Sequence, residues 1–136
     1  MTDFVLDTSV TMAWCFLDQE TPETRNLFMR MRTSTALVPM IWPLEVANVL
    51  LIGERRQRLT QAHVAQFIQL LRTLAIIVDS GAARDALCPV VGLAREHNLS
   101  SYDASYLELA MRQRLPLATH DARLRAAATR AGVRLV

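Results

Sequence analysis

Phe4-Val5-Leu6-Asp7-Thr8-Ser9 reads as a short buried strand running straight into a helix-start signal. Three consecutive apolar residues show no alternation of face, the pattern of a strand covered on both sides. Asp, Thr and Ser then supply side-chain oxygens for the N–H groups that a first helical turn leaves without partners. An acid therefore sits where a strand hands over to a helix. The far end of the chain repeats this: Leu117-Ala118-Thr119 reads as a strand, Asp121 opens a helix to about Ala131, Gly132 stops it, and Val133 to Val136 reads as a last strand.

Between these ends the same alternation continues. Val10 to Leu17 extends the first helix; Pro22 opens another, with Thr21 as cap and Glu23 in its first turn. Ala36 to Val38 is a second strand, ended by Pro39. Pro43 suits the first turn of a helix to about Arg58, which puts Glu45 near its N-terminus, Asn48 three residues on along one face, and Arg55-Arg56-Gln57-Arg58 at the end where the dipole favours positive charge. Thr60 caps the next helix, whose stripe Val64, Phe67, Ile68 and Leu71 needs only a core to explain it. Leu74 to Val78 is the third strand, with Asp79-Ser80-Gly81 as its turn. Ala82 to His97 is helical in pattern, and Pro89 with Gly92 predicts a kink or break near Cys88. Ser100 or Ser101 caps a helix to Arg114 that carries Asp103 in its first turn.

Alternating strands and helices argue for one α/β domain over residues 1–136, a parallel sheet with helices on both faces. In such sheets ligands bind beyond the carboxyl ends of the strands, where the strand order reverses. Asp7 and Asp121 follow strands, and Glu45 and Asp103 begin helices at the same edge, so four acids point to one place.

Composition narrows the classes. The chain has 136 residues, 51% of them apolar and 21% charged, which suffices for a core without a staple. The net charge of +2 selects no partner. All the basic residues are Arg, which reads as coding bias of a GC-rich genome before it reads as selection for guanidinium forks. Cys15 and Cys88 form no CxxC pair and lie in apolar stretches, the setting of buried neutral thiols in a reducing, cytoplasmic compartment. The longest uncharged run, Leu59 to Leu71, is too short and too polar to cross a bilayer, and no basic residue precedes the first apolar run as a signal peptide requires.

Each acid alone is explained by the about 0.3–1 kcal/mol that a carboxylate gains at a helix N-terminus. Together they repel by up to about 4 kcal/mol per pair at about 4 Å and an effective dielectric near 20, and a cation is the natural remedy. Hard oxygen donors with no Cys or His select Mg2+ or Mn2+ over Zn2+.

Phe4-Val5-Leu6-Asp7-Thr8-Ser9, Glu45-Val46-Ala47-Asn48, Ser101-Tyr102-Asp103-Ala104 and Leu117-Ala118-Thr119-His120-Asp121 resemble, in order and over essentially the whole chain, the acidic motifs of PIN domains. They are most similar to those of VapC-type toxins, the ribonuclease half of bacterial toxin–antitoxin pairs. The resemblance implies a three-layer sandwich with about five parallel strands. It also implies Mg2+- or Mn2+-dependent hydrolysis of single-stranded or loop RNA, control by a small antitoxin, and a homodimer. On these motifs Asp7, Glu45, Asp103 and Asp121 are the metal-binding acids, and Thr8, Ser9, Asn48 and Thr119 the polar residues supporting them.

Other features read as structural. His63 and His97 lie on helical surfaces or ends, Asp18 and Glu20 in a solvated turn, and His120 has no assignable role. Trp14 and Trp42 suit core or dimer contacts as well as base stacking, and Arg55, Arg56 and Arg58 suit phosphates or solvent equally. A phosphoacceptor signalling domain is disfavoured because it needs a Lys, and an Asp-nucleophile phosphatase because Ser9 stands where its second Asp belongs. The nearest rival is a non-catalytic PIN-like module that binds RNA or antitoxin, whose mark would be a missing acid.

Overall fold

The structure is a computed structural model describing residues 2–80 and 85–136. Its centre is β1 (Phe4–Leu6), whose three side chains are fully buried. Strands β2 (Ala36–Val38), β3 (Ile76–Val78) and β4 (Leu117–Ala118) join it in one parallel sheet of order β3-β2-β1-β4. Phe4 pairs with Ala36, Val5 with both Leu37 and Leu117, and Leu6 with Ala118. The chain adds strands outward from β1 to β3 and then crosses to the other side of β1, so the order reverses between β1 and β4. That reversal opens the crevice in which open α/β sheets bind ligands.

The expected last strand, Val133–Val136, is reduced to one parallel bridge between Leu135 and Leu117. Leu117 N donates to Arg134 O (2.8 Å) and Val136 N to Leu117 O (3.0 Å), which is as much pairing as the two-residue β4 offers. The described sheet thus has four strands where about five were expected.

Seven helices cover the sheet among the described residues: α1 (Thr8–Ala13), α2 (Pro22–Arg30), α3 (Trp42–Arg55), α4 (Gln61–Thr73), α5 (Leu87–His97), α6 (Ser101–Gln113) and α7 (Ala122–Arg130). Asp7, Thr21, Thr60, Ser100 and Asp121 cap α1, α2, α4, α6 and α7 through their side-chain oxygens, each such cap contributing about 1 kcal/mol. Gly132, at φ +78°, follows α7 in the left-handed conformation that a Cβ would strain. α6 buries Ala104 and the run from Tyr106 to Ala110 against β1 and β4 and between α5 and α7.

Several boundaries differ from the sequence reading. α1 stops at Ala13 instead of Leu17, and a 3-10 turn follows over Leu17–Gln19. Trp14 Nε1 reaches Thr24 O (2.9 Å) while Phe16 enters the core, and residues two apart on a helix cannot both face inward. α3 ends at Arg55, not Arg58, because Gln57 adopts φ +59° and the N–H groups of Arg58 and Leu59 both return to Gly53 O.

Where a kink or break was expected near Cys88, α5 carries no break. α5 begins at Leu87, so Pro89 falls in its first turn, where a missing N–H costs nothing, and the helix runs through Gly92 to His97. The expected helix start at Ala82 and the turn residue Gly81 lie outside the described residues. Cys88 is exposed, contrary to the expected buried thiol, because α5 buries none of its residues fully; Cys15 is half-buried.

Both tryptophans are engaged within the protein. Trp42 is buried with Nε1 donating to Thr11 Oγ1 (3.0 Å), and Trp14 packs on Phe28 at 5.3 Å between ring centroids. Asp18 pairs with Arg58 and Glu20 with Arg25, each at 3.0 Å, so the solvated-turn reading holds. No helix among the described residues is long and apolar enough to cross a membrane.

Candidate active site

Asp7 stands at the reversal point. Its backbone N–H continues the β1–β4 ladder to Ala118 O (2.9 Å), and its side chain caps α1. The carboxylate is almost wholly buried, and Oδ2 accepts from Ser9 Oγ (2.5 Å) and Thr119 Oγ1 (2.8 Å). Burial pushes the Asp7 carboxyl up, and the Ser9 and Thr119 hydroxyls oppose that rise.

Each of those hydroxyls works twice. Ser9 Oγ also accepts from His120 N (2.9 Å), and Thr119 Oγ1 from Asp121 N (3.1 Å). Both protons therefore go to Asp7 while both oxygens receive the turn between β4 and α7, which fixes that turn against Asp7. Arg125 Nη1 adds a bond to Thr119 O (3.0 Å) from the next helical turn. Asp121 caps α7 by accepting from Leu124 N at Oδ1 (2.8 Å).

Glu45 lies half-buried in the first turn of α3. Its Oε1 accepts from Tyr106 Oη (2.5 Å) and lies 3.1 Å from Thr8 Oγ1. The adjacent residues Thr8 and Ser9 thus diverge, one toward Glu45 and the other toward Asp7. Asp103, in the first turn of α6, completes the set. Burial, then the charges of Asp7, Asp121 and Glu45, push its carboxyl up to about 6. Three acids from three other parts of the chain thus act on the fourth.

Of the supporting residues, Thr8, Ser9 and Thr119 all bond directly to the acids. Asn48 is exposed one turn beyond Glu45 and makes no side-chain hydrogen bond among the described residues. Sequence reasoning missed Tyr106. It follows Asp103 by one helical step of three, which places both on one side of α6, and that spacing was the available signal. Burial, then its bond to Glu45, holds the Tyr106 phenol well above its ordinary range, so it remains a donor.

Asp79 follows the edge strand β3. Arg112 bridges it (2.6 Å) to the buried Glu108 (2.8 Å), tying the end of β3 to α6. Arg58 faces Asp18 and covers the Phe16 ring at 4.5 Å, His63 and His120 are exposed, and Arg130 Nε reaches His97 Nδ1 at 3.4 Å.

Among the described residues no three His, Cys, Asp or Glu side chains close on one another tightly enough to cage a metal. The arrangement still fits a hard cation. Asp7, Glu45 and Asp121 each have one oxygen engaged and the other without a hydrogen-bond partner among the described residues. Mg2+ characteristically takes one or two carboxylates and keeps several waters, which asks for acids spaced around an opening and not for a closed cage. The mutual repulsion felt at Asp103 is what such a charge relieves.

The family model of the PIN domain matches residues 4–129. No curated protein matches the chain. Among solved structures, the crystal structure of PAE2754 from Pyrobaculum aerophilum is similar, with a TM-score of 0.69 and 22% identity over 93% of this chain and 79% of that one; at that identity the likeness speaks for the fold.

Proposed function

This chain belongs to the PIN-domain family, whose members are typically nucleases, and from that premise we propose that it is a Mg2+- or Mn2+-dependent endoribonuclease, the toxin of a toxin–antitoxin pair. The observation that carries this reading is the set of hydrogen bonds that gathers the acids at the strand-order reversal: Thr119 links Asp7 to the Asp121 backbone, Thr8 beside Asp7 meets Glu45, and Tyr106, one turn after Asp103, donates to the same Glu45. Helix caps alone would not bring four acids from four elements into one another's field.

When bound, the divalent ion supplies Lewis acidity that polarises a phosphodiester and readies a water for in-line attack. Asp7 and Asp103 take the central ligand roles, Asp7 held rigid by Ser9 and Thr119. Glu45 serves as a ligand or orients the attacking water. Asp121, exposed beyond its capping oxygen, holds a second ion or a water of the shell. No residue needs to form a covalent intermediate.

The substrate is single-stranded or loop RNA, and the inhibitor a small antitoxin that seats an Arg fork among the acids. The four quoted motifs support the toxin reading, and apolar side chains left exposed on β3 and α5 support a homodimer. The cytoplasm is the compartment where such an RNA target lies. Against a non-catalytic binding module stands the presence of all four acids.

Incubating the purified protein with single-stranded RNA and Mg2+ or Mn2+ should yield products with 5′-phosphate and 3′-hydroxyl ends, stopped by EDTA. A 2′,3′-cyclic phosphate would exclude direct attack by water. RNA that is bound but never cut would return the protein to the binding-module reading.

A further inference from the structure

Thr8, Tyr106 and Glu45 form a triangle of oxygen atoms. Thr8 Oγ1 lies 2.7 Å from Tyr106 Oη, Tyr106 Oη 2.5 Å from Glu45 Oε1, and Thr8 Oγ1 3.1 Å from the same Oε1. An ionised carboxylate brings no proton, so two hydroxyl protons serve three edges. The two shortest edges take them: Thr8 donates to Tyr106, and Tyr106 donates to Glu45. The third edge, from Thr8 Oγ1 to Glu45 Oε1, is the longer arm of the same Thr8 proton.

The anchor of this relay is rigid. Tyr106 is fully buried in α6, and Thr8 lies in the first turn of α1 beside Asp7. Glu45 by contrast is half-buried, on a long side chain whose terminal torsion is broad and two-fold. Left alone, its two oxygens would exchange places.

We propose that Tyr106 is a positioning residue: its buried hydroxyl, oriented by Thr8, holds Glu45 Oε1 and thereby commits Oε2 to a divalent cation. This rests on the reading of the four acids as a metal site. It adds that α6 sets the site twice, by carrying Asp103 and by fixing Glu45 three residues further along. Tyr106 touches neither ion nor RNA; it acts through Glu45.

The test is calorimetric titration of Mn2+ into the intact protein without RNA, with melts in EDTA as the folding control. Tyr106→Phe keeps the ring and removes the hydroxyl, and Mn2+ binding should weaken about 10- to 100-fold, the usual loss when the partner of a metal ligand is removed. In a Glu45→Ala background the same substitution should weaken binding no further, because the residue through which it acts is gone. Thr8→Val should weaken binding less than Tyr106→Phe, and Thr8→Ser, which keeps the hydroxyl, should bind like wild type. If Tyr106→Phe does not fold, the contrast between Thr8→Val and Thr8→Ser carries the comparison.

Tyr106→Phe binding Mn2+ as tightly as wild type overturns the proposal, as does an undiminished second loss in the Glu45→Ala background. Wild type that binds no Mn2+ overturns the metal reading itself and the positioning role with it, a result distinct from either of those.

Discussion

The two flanks of the sheet are built differently. On the β1–β4 side, β1, Tyr106, Leu107 and Leu124 are fully buried, and side-chain hydrogen bonds join α1, α3, α6 and the turn before α7. On the β3 side, Ile77 is 50% exposed, Leu87 is 70% exposed, and no residue of α5 is fully buried. All four acids belong to the first flank or point toward it. Close packing there gives a buried carboxylate such as Asp7 a fixed set of partners, which a loosely covered edge cannot supply.

The largest effect expected from breaking the well-packed flank is on catalysis. Asp103→Asn or Asp121→Asn should reduce RNA cleavage by more than about 100-fold, the upper end of the loss from removing a residue that merely supports a metal ligand. Single-turnover cleavage of a labelled RNA measures it. Retention of a tenth of the wild-type rate by either variant would show that the acid in question serves its helix N-terminus and not the chemistry.

Next comes the packing itself. Leu107→Ala, in the centre of α6, should lower unfolding free energy by about 2–5 kcal/mol. Leu87→Ala, on the exposed side of α5, should stay within about 0.5 kcal/mol of wild type. Urea unfolding in EDTA compares the two; similar losses would mean that the β3 flank is covered in solution, as a dimer would cover it.

These contrasts also explain what the sequence could reveal. β1, β2, the caps at Asp7, Thr21, Thr60 and Asp121, and the stop at Gly132 are local events, written in neighbouring residues and found where expected. The end of α1 was not legible, because Trp14 and Phe16 answer to distant partners. Pro89 was misread as a helix breaker since its effect depends on where α5 begins. Of the site, the four acids and the hydroxyls of Thr8, Ser9 and Thr119 follow from motif and spacing. Tyr106 did not, because an aromatic residue on the buried side of a helix reads as core until its hydroxyl is seen against Glu45.

The smallest effect is on pH dependence. The Asp103 carboxyl is raised from 3.8 to about 6 in the folded protein, so the unfolded chain ionises first. As pH rises from about 4 to about 6 the folded state loses stability relative to the unfolded chain, and the penalty is complete above that. Asp103→Asn removes that group. In EDTA its melting temperature relative to wild type should therefore climb by a few degrees across this window and level off beyond it; a difference that falls with pH would reverse the sign assigned to the cluster.

The most direct measurement of the central claim, that the four acids are one divalent-metal site and not a set of helix caps, is a pair of melts for wild type and Asp103→Asn, in EDTA and in saturating Mg2+. In EDTA the variant should be at least as stable as wild type, because a repelled charge has gone. Wild type should gain about 2.7 kcal/mol at about 100 times its metal dissociation constant, and the variant much less. A drop of many degrees for Asp103→Asn in EDTA, with equal Mg2+ gains in both proteins, would contradict the account and make Asp103 a structural acceptor.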